Sequence, residues 1–369
     1  MALTGSIDVR SSNASQQRGP HGAFRYFGKL PPDVTGAVLD AAAELTEVKT
    51  PVVDLMCGSG TTLIEAAARR WPAIGVDANP VAALYAGVKT TRLNEGRYLQ
   101  LLEEVLRGRP ATRRQQEDLF AATRNADRWF NADARQALAT LKVNIDRLSS
   151  SAESRALFAV LLGRLRRISN ASERTGRIFY DPDSAKPALP EFESAAERLP
   201  TQTLPRTSDV RIIQADARST SLSDGCSDLC FCHPPYFALY RYSADVLRFE
   251  MELGGFDRRE TNQIEIREGW KSGDVRNLDG YVADMSEVFR EARRITRPSG
   301  ILALVVSNST LGDAQLPVVD RLASALKEHG WSITEHLQRS AHFGSGNYHR
   351  SARADKVIQR DHVLLCRVR

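Results

Sequence analysis

Two turns carry the residues whose types and spacing could do chemistry. The first places Gly58 and Gly60 directly before a helical stretch that opens at Thr61. Glycine lets the backbone approach a ligand, and the N-terminus of a helix favours electronegative groups. Asp54 and Asp77 end two successive apolar runs, and Asp77 is placed to accept hydrogen bonds from both hydroxyls of a ribose. The pattern predicts a pocket for a nucleoside-type ligand.

Details of the first turn narrow the kind of nucleoside. The Gly-Lys-Ser/Thr sequence of a P-loop is absent, and Leu63 stands where a dinucleotide-binding turn has its third glycine. An acidic strand end, a glycine turn and a second acidic strand end fit S-adenosyl-L-methionine better than a phosphate-bearing nucleotide.

The second turn is the sequence HPPY, formed by His233, Pro234, Pro235 and Tyr236 after the apolar run SDLCFC. Prolines have a fixed φ and no N–H, so the turn is stiff and the carbonyl of Pro234 is held in one direction. A neutral imidazole accepts one hydrogen bond, and a tyrosine ring offers a face for stacking a base. CFCH is not interpreted as a metal site, because no second Cys/His pair stands at zinc spacing.

Composition sets the class of protein. The 369 residues are 42% hydrophobic and 26% charged, which is ordinary for a soluble globular protein. No apolar run reaches 18 residues, the N-terminal sequence does not resemble a secretory signal, and the five cysteines are odd in number, so a cytoplasmic location is expected. Residues 97–177 hold 16 Arg or Lys against 9 Asp or Glu, a net charge of +7, and this predicts a solvated helical face or a basic surface for a polyanion.

The order of the elements predicts the architecture that holds both turns. Strand-like runs alternate with helical ones up to about residue 95, stop, and resume at residue 210, so a helical insertion divides one α/β domain. Within that insertion, 181–208 is Pro- and Ser-rich and is interpreted as loop. The predicted organisation is a mobile arm over 1–20, the first half of the α/β domain over 21–95, the helical insertion over 96–208, and the second half over 209–369.

The motifs resemble those of the S-adenosyl-L-methionine-dependent DNA amino-methyltransferases, the N4-cytosine and N6-adenine modifying enzymes of restriction-modification type. DLMCGSGTTLIEA is similar to their cofactor motif, GVDANP to their ribose motif, IIQADAR to their adenine-contacting motif and FRYFGKLPP to the segment that closes over the methionine end. HPPY stands where their catalytic motif stands, with His233 in place of the usual Asp, Asn or Ser. The resemblance implies a Rossmann-like methyltransferase fold with a mostly parallel seven-stranded sheet and an antiparallel last strand.

The resemblance also implies roles for particular residues. S-adenosyl-L-methionine would be the cofactor, with S-adenosyl-L-homocysteine as product and DNA as substrate. His233 and the carbonyl of Pro234 would pull the target amino nitrogen towards tetrahedral geometry by accepting its N–H groups. Tyr236 would stack on the extruded base. The implied cofactor residues are Phe27, Gly28, Asp54, Met56, Cys57, Gly58, Gly60, Thr61, Asp77, Ala78, Asp216 and Ala217.

Nucleic-acid contact is expected from arginine and tyrosine side chains in the insertion and just after HPPY. These are Arg164, Arg166, Arg167, Arg174, Arg177, Tyr240 and Arg241.

Two alternatives stay open. One is an RNA base methyltransferase, acting for example on guanine N2. The other is a catalytically weak cofactor- and DNA-binding subunit of a defence or modification complex. A cognate restriction or defence subunit is a further expected partner. If His233 has an ordinary imidazole pKa, activity falls below about pH 6.5 as the acceptor is protonated.

Overall fold

The computed structural model describes residues 4–7, 9, 16–172, 178–204, 209–237, 242–266, 276–311, 314–340 and 360–369. Eight strands form one sheet, and a separate antiparallel pair, β7 and β8, stands apart from it. The strands are β1 (Gly5–Ser6), β2 (Val52–Asp54), β3 (Ala73–Asp77), β4 (Val210–Gln214), β5 (Ser227–Cys232), β6 (Thr296–Val306), β7 (Ser309–Leu311), β8 (Ala314–Leu316), β9 (Trp331–Ser340) and β10 (Arg360–Val368).

The order of the main sheet is β1-β9-β10-β6-β5-β2-β3-β4. Strands β2 to β6 pair in parallel, whereas β10 runs antiparallel to both β6 and β9. This is the mostly parallel sheet with a reversed last strand that the resemblance implies, and it confirms the Rossmann-like fold. The sheet has eight strands instead of the expected seven, because β1 pairs with β9 at its edge. Strand β2 lies between β3 and β5, so the chain leaves β2 at the point where the strand order changes direction, where ligands of open α/β sheets bind.

The N-terminal residues differ from the expected mobile arm. Gly5 and Ser6 form an edge strand parallel to Leu337 and Gln338 of β9. Without β1, strand β9 would be the edge of the sheet and its outer backbone N–H and C=O groups would lack partners. The backbone of β1 supplies those partners. The 1–20 boundary therefore does not separate an unstructured arm from the sheet.

Thirteen helices lie in the described part of the chain, and they surround the sheet or form the insertion. They are α1 (Pro32–Leu45), α2 (Thr61–Ala68), α3 (Pro80–Thr90), α4 (Glu95–Leu106), α5 (Arg113–Phe120), α6 (Ala126–Trp129), α7 (Ala132–Asp146), α8 (Ala152–Ile168), α9 (Ala188–Arg198), α10 (Arg248–Gly254), α11 (Arg258–Ile264), α12 (Arg276–Ile295) and α13 (Val318–Glu328).

The sheet is covered on both faces, as its buried strands require. Alternate residues of β6 enter different cores: Ile301 and Val305 pack towards α1 and α2, whereas Leu302 and Leu304 pack towards α12 and α13. This period of two explains why the run ILALVV, residues 301–306, is apolar throughout instead of alternating.

The insertion between β3 and β4 is helical, as predicted, but it is not a separate body. Its helices share one core with α3 and α10, and Phe24 stacks on Tyr85 of α3 with ring centroids 4.4 Å apart. The predicted loop over 181–208 is wrong for α9. Pro190 lies in the first turn of that helix, where a missing N–H costs nothing, and Phe192 is buried against α8.

No helix among the described residues has the length and apolarity needed to cross a membrane.

Candidate functional site

The first predicted turn begins where β2 ends at Asp54. The carboxylate of Asp54 accepts a hydrogen bond from the backbone N–H of Met56 at 3.1 Å and one from the hydroxyl of Thr62. Asp54 is 2% exposed, and burial raises the pKa of its carboxyl to about 7. The residue therefore shapes the turn from below and offers little free charge.

The glycines of this turn have backbone conformations that other residues adopt at a cost. Gly58 has φ of 49° and Gly60 has φ of 83°. A Cβ on Gly58 would lie 3.2 Å from the ring of Tyr26. The carbonyl of Ser59 is held from behind by the buried ammonium group of Lys89 at 2.6 Å. The turn is thus fixed on both sides before α2 begins.

Asp77 ends β3 and holds the glycine turn in place. Its Oδ2 accepts the N–H of Gly58 at 2.8 Å, and its Oδ1 accepts the N–H of Asn79 at 2.8 Å. Asn79 caps α3 by accepting the N–H groups of Val81 and Ala82. Burial raises the pKa of Asp77 to about 6, and the nearby carboxylate of Glu265 adds to this shift.

Asp216 follows β4 and faces the same space. The guanidinium group of Arg218 binds its carboxylate in a bidentate manner, with Nε–Oδ1 and Nη2–Oδ2 distances of 3.0 and 2.8 Å. Arg218 also reaches Asp284 of α12 at 2.6 Å. Asp216 is therefore held in one orientation at the sheet edge.

These strand ends open into a cavity of about 500 Å³, within the usual range of small-molecule sites. Twelve of the predicted site residues line it: Gly28, Asp54, Met56, Cys57, Gly58, Thr61, Asp77, Ala78, Asp216, Ala217, His233 and Pro235. Four do not: Phe27, Gly60, Pro234 and Tyr236. The lining residues that the sequence did not single out are Tyr26, Lys29, Leu30, Leu55, Ser59, Thr62, Asn79, Phe231, Tyr242, Asn262, Ile264, Glu265 and Ile266.

The cavity is rich in carboxylates. Asp54, Asp77, Asp216 and Glu265 line it, and Lys29 carries the one ammonium or guanidinium group among the described lining residues. Lys29 donates to two backbone carbonyls at 2.8 and 3.1 Å, and burial lowers its pKa to about 8. The balance of charge favours a ligand with positive charge and disfavours phosphates.

The second predicted turn enters the same cavity from the end of β5. His233 follows Cys232 and lines the cavity, and its buried Nε2 has no hydrogen-bond partner in the described residues. Burial lowers the pKa of His233 to about 4; the nearby Asp361 opposes this shift and Arg339 adds to it. The imidazole is therefore neutral at pH 7. Protonation of His233, and with it the loss of the acceptor, therefore occurs at a lower pH than the 6.5 expected from the sequence, because desolvation disfavours the imidazolium ion.

Three side chains from outside the turn fix the residues after His233. The hydroxyl of Tyr281 donates to the carbonyl of Pro235 at 2.9 Å, and Ser309 donates to the carbonyl of Phe237 at 2.7 Å. The hydroxyl of Tyr236 donates to Asp361 at 2.8 Å. Tyr236 does not line the cavity, so the predicted stacking face is not presented there; its buried hydrogen bond directs the ring away.

Two tyrosines missed by sequence reasoning line the cavity instead. The rings of Tyr26 and Tyr242 stack with centroids 5.7 Å apart. Tyr26 stood next to the predicted Phe27 in FRYFGK, so its position carried a signal. Glu265 carried none: it accepts from Asn79 at 2.9 Å and from the hydroxyl of Ser243 at 2.7 Å, contacts that only the folded chain reveals.

The predicted arginine cluster for nucleic acid needs correction. Arg166 is 7% exposed, and its guanidinium group lies 5.4 Å from the ring centre of Phe27. Arg167 forms an ion pair with Glu191 at 2.8 Å, and Arg164 is half-buried. Arg166 is thus buried and Arg167 is engaged by Glu191, so these residues do not form the exposed phosphate-binding cluster that the sequence predicts. The remaining predicted contacts, Arg174, Arg177, Tyr240 and Arg241, lie outside the described residues.

No group of three or more His, Cys, Asp or Glu side chains in the described ranges is arranged to hold a metal ion.

Of three comparisons with known proteins, the one with solved structures finds proteins that are similar to this chain. No protein-family model matches the chain. No curated protein matches it either.

Three solved structures illustrate the likeness. A candidate DNA modification methylase from Thermus thermophilus, complexed with S-adenosyl-L-methionine, is 17% identical with a TM-score of 0.28, over 42% of this chain and 53% of that one. TrmN from Thermus thermophilus is 13% identical with a TM-score of 0.38, over 96% of this chain and 53% of that one. An S-adenosyl-L-methionine-dependent methyltransferase from Methanosarcina mazei is 10% identical with a TM-score of 0.36, over 88% and 95%.

The matches to the methylase and to TrmN span about half the length of those proteins. At such identities and TM-scores, the likeness assigns neither a substrate nor a partner to this chain.

Proposed function

We propose that the protein is an S-adenosyl-L-methionine-dependent methyltransferase that modifies an exocyclic amino group of a base in DNA, cytosine N4 or adenine N6. One observation carries the proposal: the glycine turn after β2 and His233 after β5 line a single cavity of about 500 Å³. A ligand cradled by the turn therefore lies beside the imidazole of His233.

The donor set of the cavity fits this cofactor. Asp77 has the position at the end of β3 that suits a ribose diol, and the carboxylates around it suit a cation. Lys29 is the group suited to a carboxylate at the methionine end, and Asp216 is the acceptor for an adenine amino group. When bound, the sulfonium of the cofactor supplies an electrophilic methyl group and a neutral leaving group.

The residues of the second turn act on the nucleophile. The lone pair of an exocyclic amino group is delocalised into the base, so the nitrogen attacks poorly until its N–H groups are held out of the ring plane. The neutral imidazole of His233, which lines the cavity, accepts one N–H through its unprotonated ring nitrogen. Tyr281 already donates to the carbonyl of Pro235, and Pro234 does not line the cavity, so His233 is the acceptor on which the proposal rests. Its position is set in advance by packing, as electrostatic stabilisation of a transition state requires.

The proposed nucleic-acid partner is supported by an aromatic and basic patch on the insertion. Phe179 is 53% exposed and Tyr180 is 43% exposed, and the guanidinium group of Arg128 lies 4.4 Å from the ring centre of Tyr180. Exposed rings beside an arginine suit base stacking and phosphate contact. Trp129 touches Tyr180 and also Phe249 of α10, which connects the patch to the core of the insertion.

The finer parts of the proposal are DNA over RNA, the amino group over other acceptors, and a restriction or defence setting. Incubation with methyl-labelled S-adenosyl-L-methionine and separate DNA and RNA pools tests the choice of nucleic acid. Label in DNA supports the proposal. Label in RNA assigns the reaction to an RNA base, and cofactor binding without transfer to either pool assigns the chain to a binding subunit.

A further inference from the structure

A buried ion pair lies behind the second turn, at the reversed end of the sheet. Asp361 of β10 is 4% exposed and Arg339 of β9 is 7% exposed. The guanidinium group binds one carboxylate oxygen of Asp361, Oδ2, through both Nη2 and Nε, the latter at 3.0 Å. The other oxygen, Oδ1, accepts the hydroxyl of Tyr236 at 2.8 Å. None of these three side chains lines the cavity.

Tyr236 connects this ion pair to His233. The two rings are nearly perpendicular, with an interplanar angle of 81° and centroids 5.2 Å apart. Such an edge-on contact is a preferred arrangement of aromatic rings and resists rotation of either one. The hydrogen bond to Asp361 fixes the phenol ring from the far end. The imidazole of His233 therefore has a held neighbour on the side away from the ligand.

On this geometry we propose that Tyr236, Asp361 and Arg339 are positioning residues, which hold the imidazole of His233 in one ring orientation so that it presents a hydrogen-bond acceptor to the cavity that it lines. A buried neutral imidazole has two tautomers and two ring orientations, and one combination alone presents an acceptor to a substrate amino group. The role of Tyr236 is thus support of the acceptor from behind, in place of stacking on a base.

Stability of the fold alone does not account for this buried ion pair. Burying two charges costs several kcal/mol, and an apolar pair of similar volume is often as stable. The two N–H groups that Arg339 donates to Oδ2 do, however, leave Asp361 with one defined orientation and with Oδ1 available to Tyr236. Strands β9 and β10, which pair along their length, make this support rigid.

The proposal rests on the proposed function, and its test separates the two. Tyr236→Phe removes the hydroxyl and keeps the ring. The double variant Arg339→Met/Asp361→Leu removes the ion pair while keeping apolar bulk. Tyr98→Phe is the matched control, because the fully buried hydroxyl of Tyr98 donates to a backbone carbonyl at 3.0 Å within the insertion, away from the cavity.

Two readouts are measured on each variant. The first is kcat, alongside KM for the nucleic acid and Kd for S-adenosyl-L-methionine. The second is the ¹⁵N NMR signal of His233 in the cofactor-free protein, identified by its loss in His233→Asn, which reports the tautomer directly.

Tyr236→Phe and the double variant are each expected to lower kcat about 10- to 100-fold, the scale of a small misplacement of a reacting group. KM and Kd change less than about twofold, and the combined variant loses no more than either alone, since all three residues act through one contact. The wild type shows one neutral tautomer, and both variants show a mixture.

An unchanged His233 signal together with wild-type kcat in either folded variant would overturn the proposal. A wild type that transfers no methyl group would instead count against the proposed function, while the NMR comparison would still decide whether Tyr236 orients His233.

Discussion

Asp77→Asn is the substitution whose effect on cofactor affinity follows most directly from the structure. The carboxylate accepts the N–H of Gly58 through one oxygen and the N–H of Asn79 through the other. An asparagine has one acceptor oxygen, so one of these N–H groups faces an NH₂ group instead. A hydrogen bond to a charged group contributes about 1.5–3 kcal/mol, and a buried N–H without a partner costs about 1–3 kcal/mol.

The substitution Asp77→Asn weakens binding of the ligand as well as the hydrogen bonds of the glycine turn. The proposed ribose contact exchanges a charged acceptor for a neutral one, so we expect the Kd for S-adenosyl-L-methionine to rise about 10- to 100-fold, at 1.4 kcal/mol for each factor of ten. Isothermal titration calorimetry measures this at pH 8, where Asp77 is ionised.

Asp228→Asn is the matched control for this experiment. Asp228 also accepts two backbone N–H groups, those of Lys49 and Thr50 at 2.9 Å each, both through Oδ2, and its substitution removes a buried charge near Arg297; it lies at the opposite end of β5 from His233. Its substitution should lower stability and leave Kd within about twofold. An Asp77→Asn protein that binds the cofactor as tightly as the Asp228→Asn protein would refute the assignment of Asp77.

Four further predictions address the acceptor, its protonation, the protonation of Asp77 and the glycine turn. His233→Ala should lower kcat at least about 100-fold in the methyl-transfer assay, with the cofactor Kd within about twofold, because the acceptor is lost and the turn after β2 is untouched. At saturating cofactor, kcat should stay level from pH 8 to about 5 and fall near pH 4, where the imidazole is protonated; a midpoint near 6.5 would contradict this. Without saturation, cofactor affinity should weaken as pH falls through about 6, where cofactor-free Asp77 takes up a proton. Gly60→Ala should lower the free energy of unfolding by at least about 2 kcal/mol in a denaturant titration, since φ is 83° and the new Cβ lies 3.1 Å from that of Ala86. The control Gly280→Ala, on α12 with no atom within 4 Å of the new Cβ, should raise it by about 0.5–1 kcal/mol. Equal effects of the two substitutions would contradict backbone strain at Gly60.

The sheet was predictable from the chain because its strands are short, buried and regularly spaced. Residues 73–77 and 331–340 are strand-like runs of the sequence, and they coincide with β3 and β9. The reversed last strand agrees with what the resemblance implies. The misses have local causes. The two-residue strand β1 is too short to produce a hydrophobic pattern. From the sequence, the helix α9 is interpreted as loop because it contains Pro190, although a proline is compatible with the first turn of a helix.

The site was predictable where one motif supplies both position and chemistry. The glycine turn, Asp77 and His233 come together at one cavity because each follows a parallel strand, and parallel strands end at the same edge of a sheet. Glu265 and Tyr242 reach the cavity from a segment without such a rule, so no spacing in the sequence points to them.

Side-chain direction was the least predictable feature. Tyr236 belongs to the predicted motif but turns towards Asp361, 125 residues further along the chain. Arg166 belongs to an arginine-rich stretch but is buried over Phe27. In both cases a partner distant in sequence decides where the side chain lies, and composition carries no trace of that partner.

The central claim is that a methyl group bound at the glycine turn is passed to an amino nitrogen held by His233. Its most direct test is mass spectrometry of nucleosides from DNA treated with the protein and methyl-labelled S-adenosyl-L-methionine, with His233→Ala alongside. The account predicts labelled N4-methylcytosine or N6-methyladenine from the wild type and neither from the variant. Label on a carbon or a ribose oxygen, or equal amino-group label from both proteins, would contradict it.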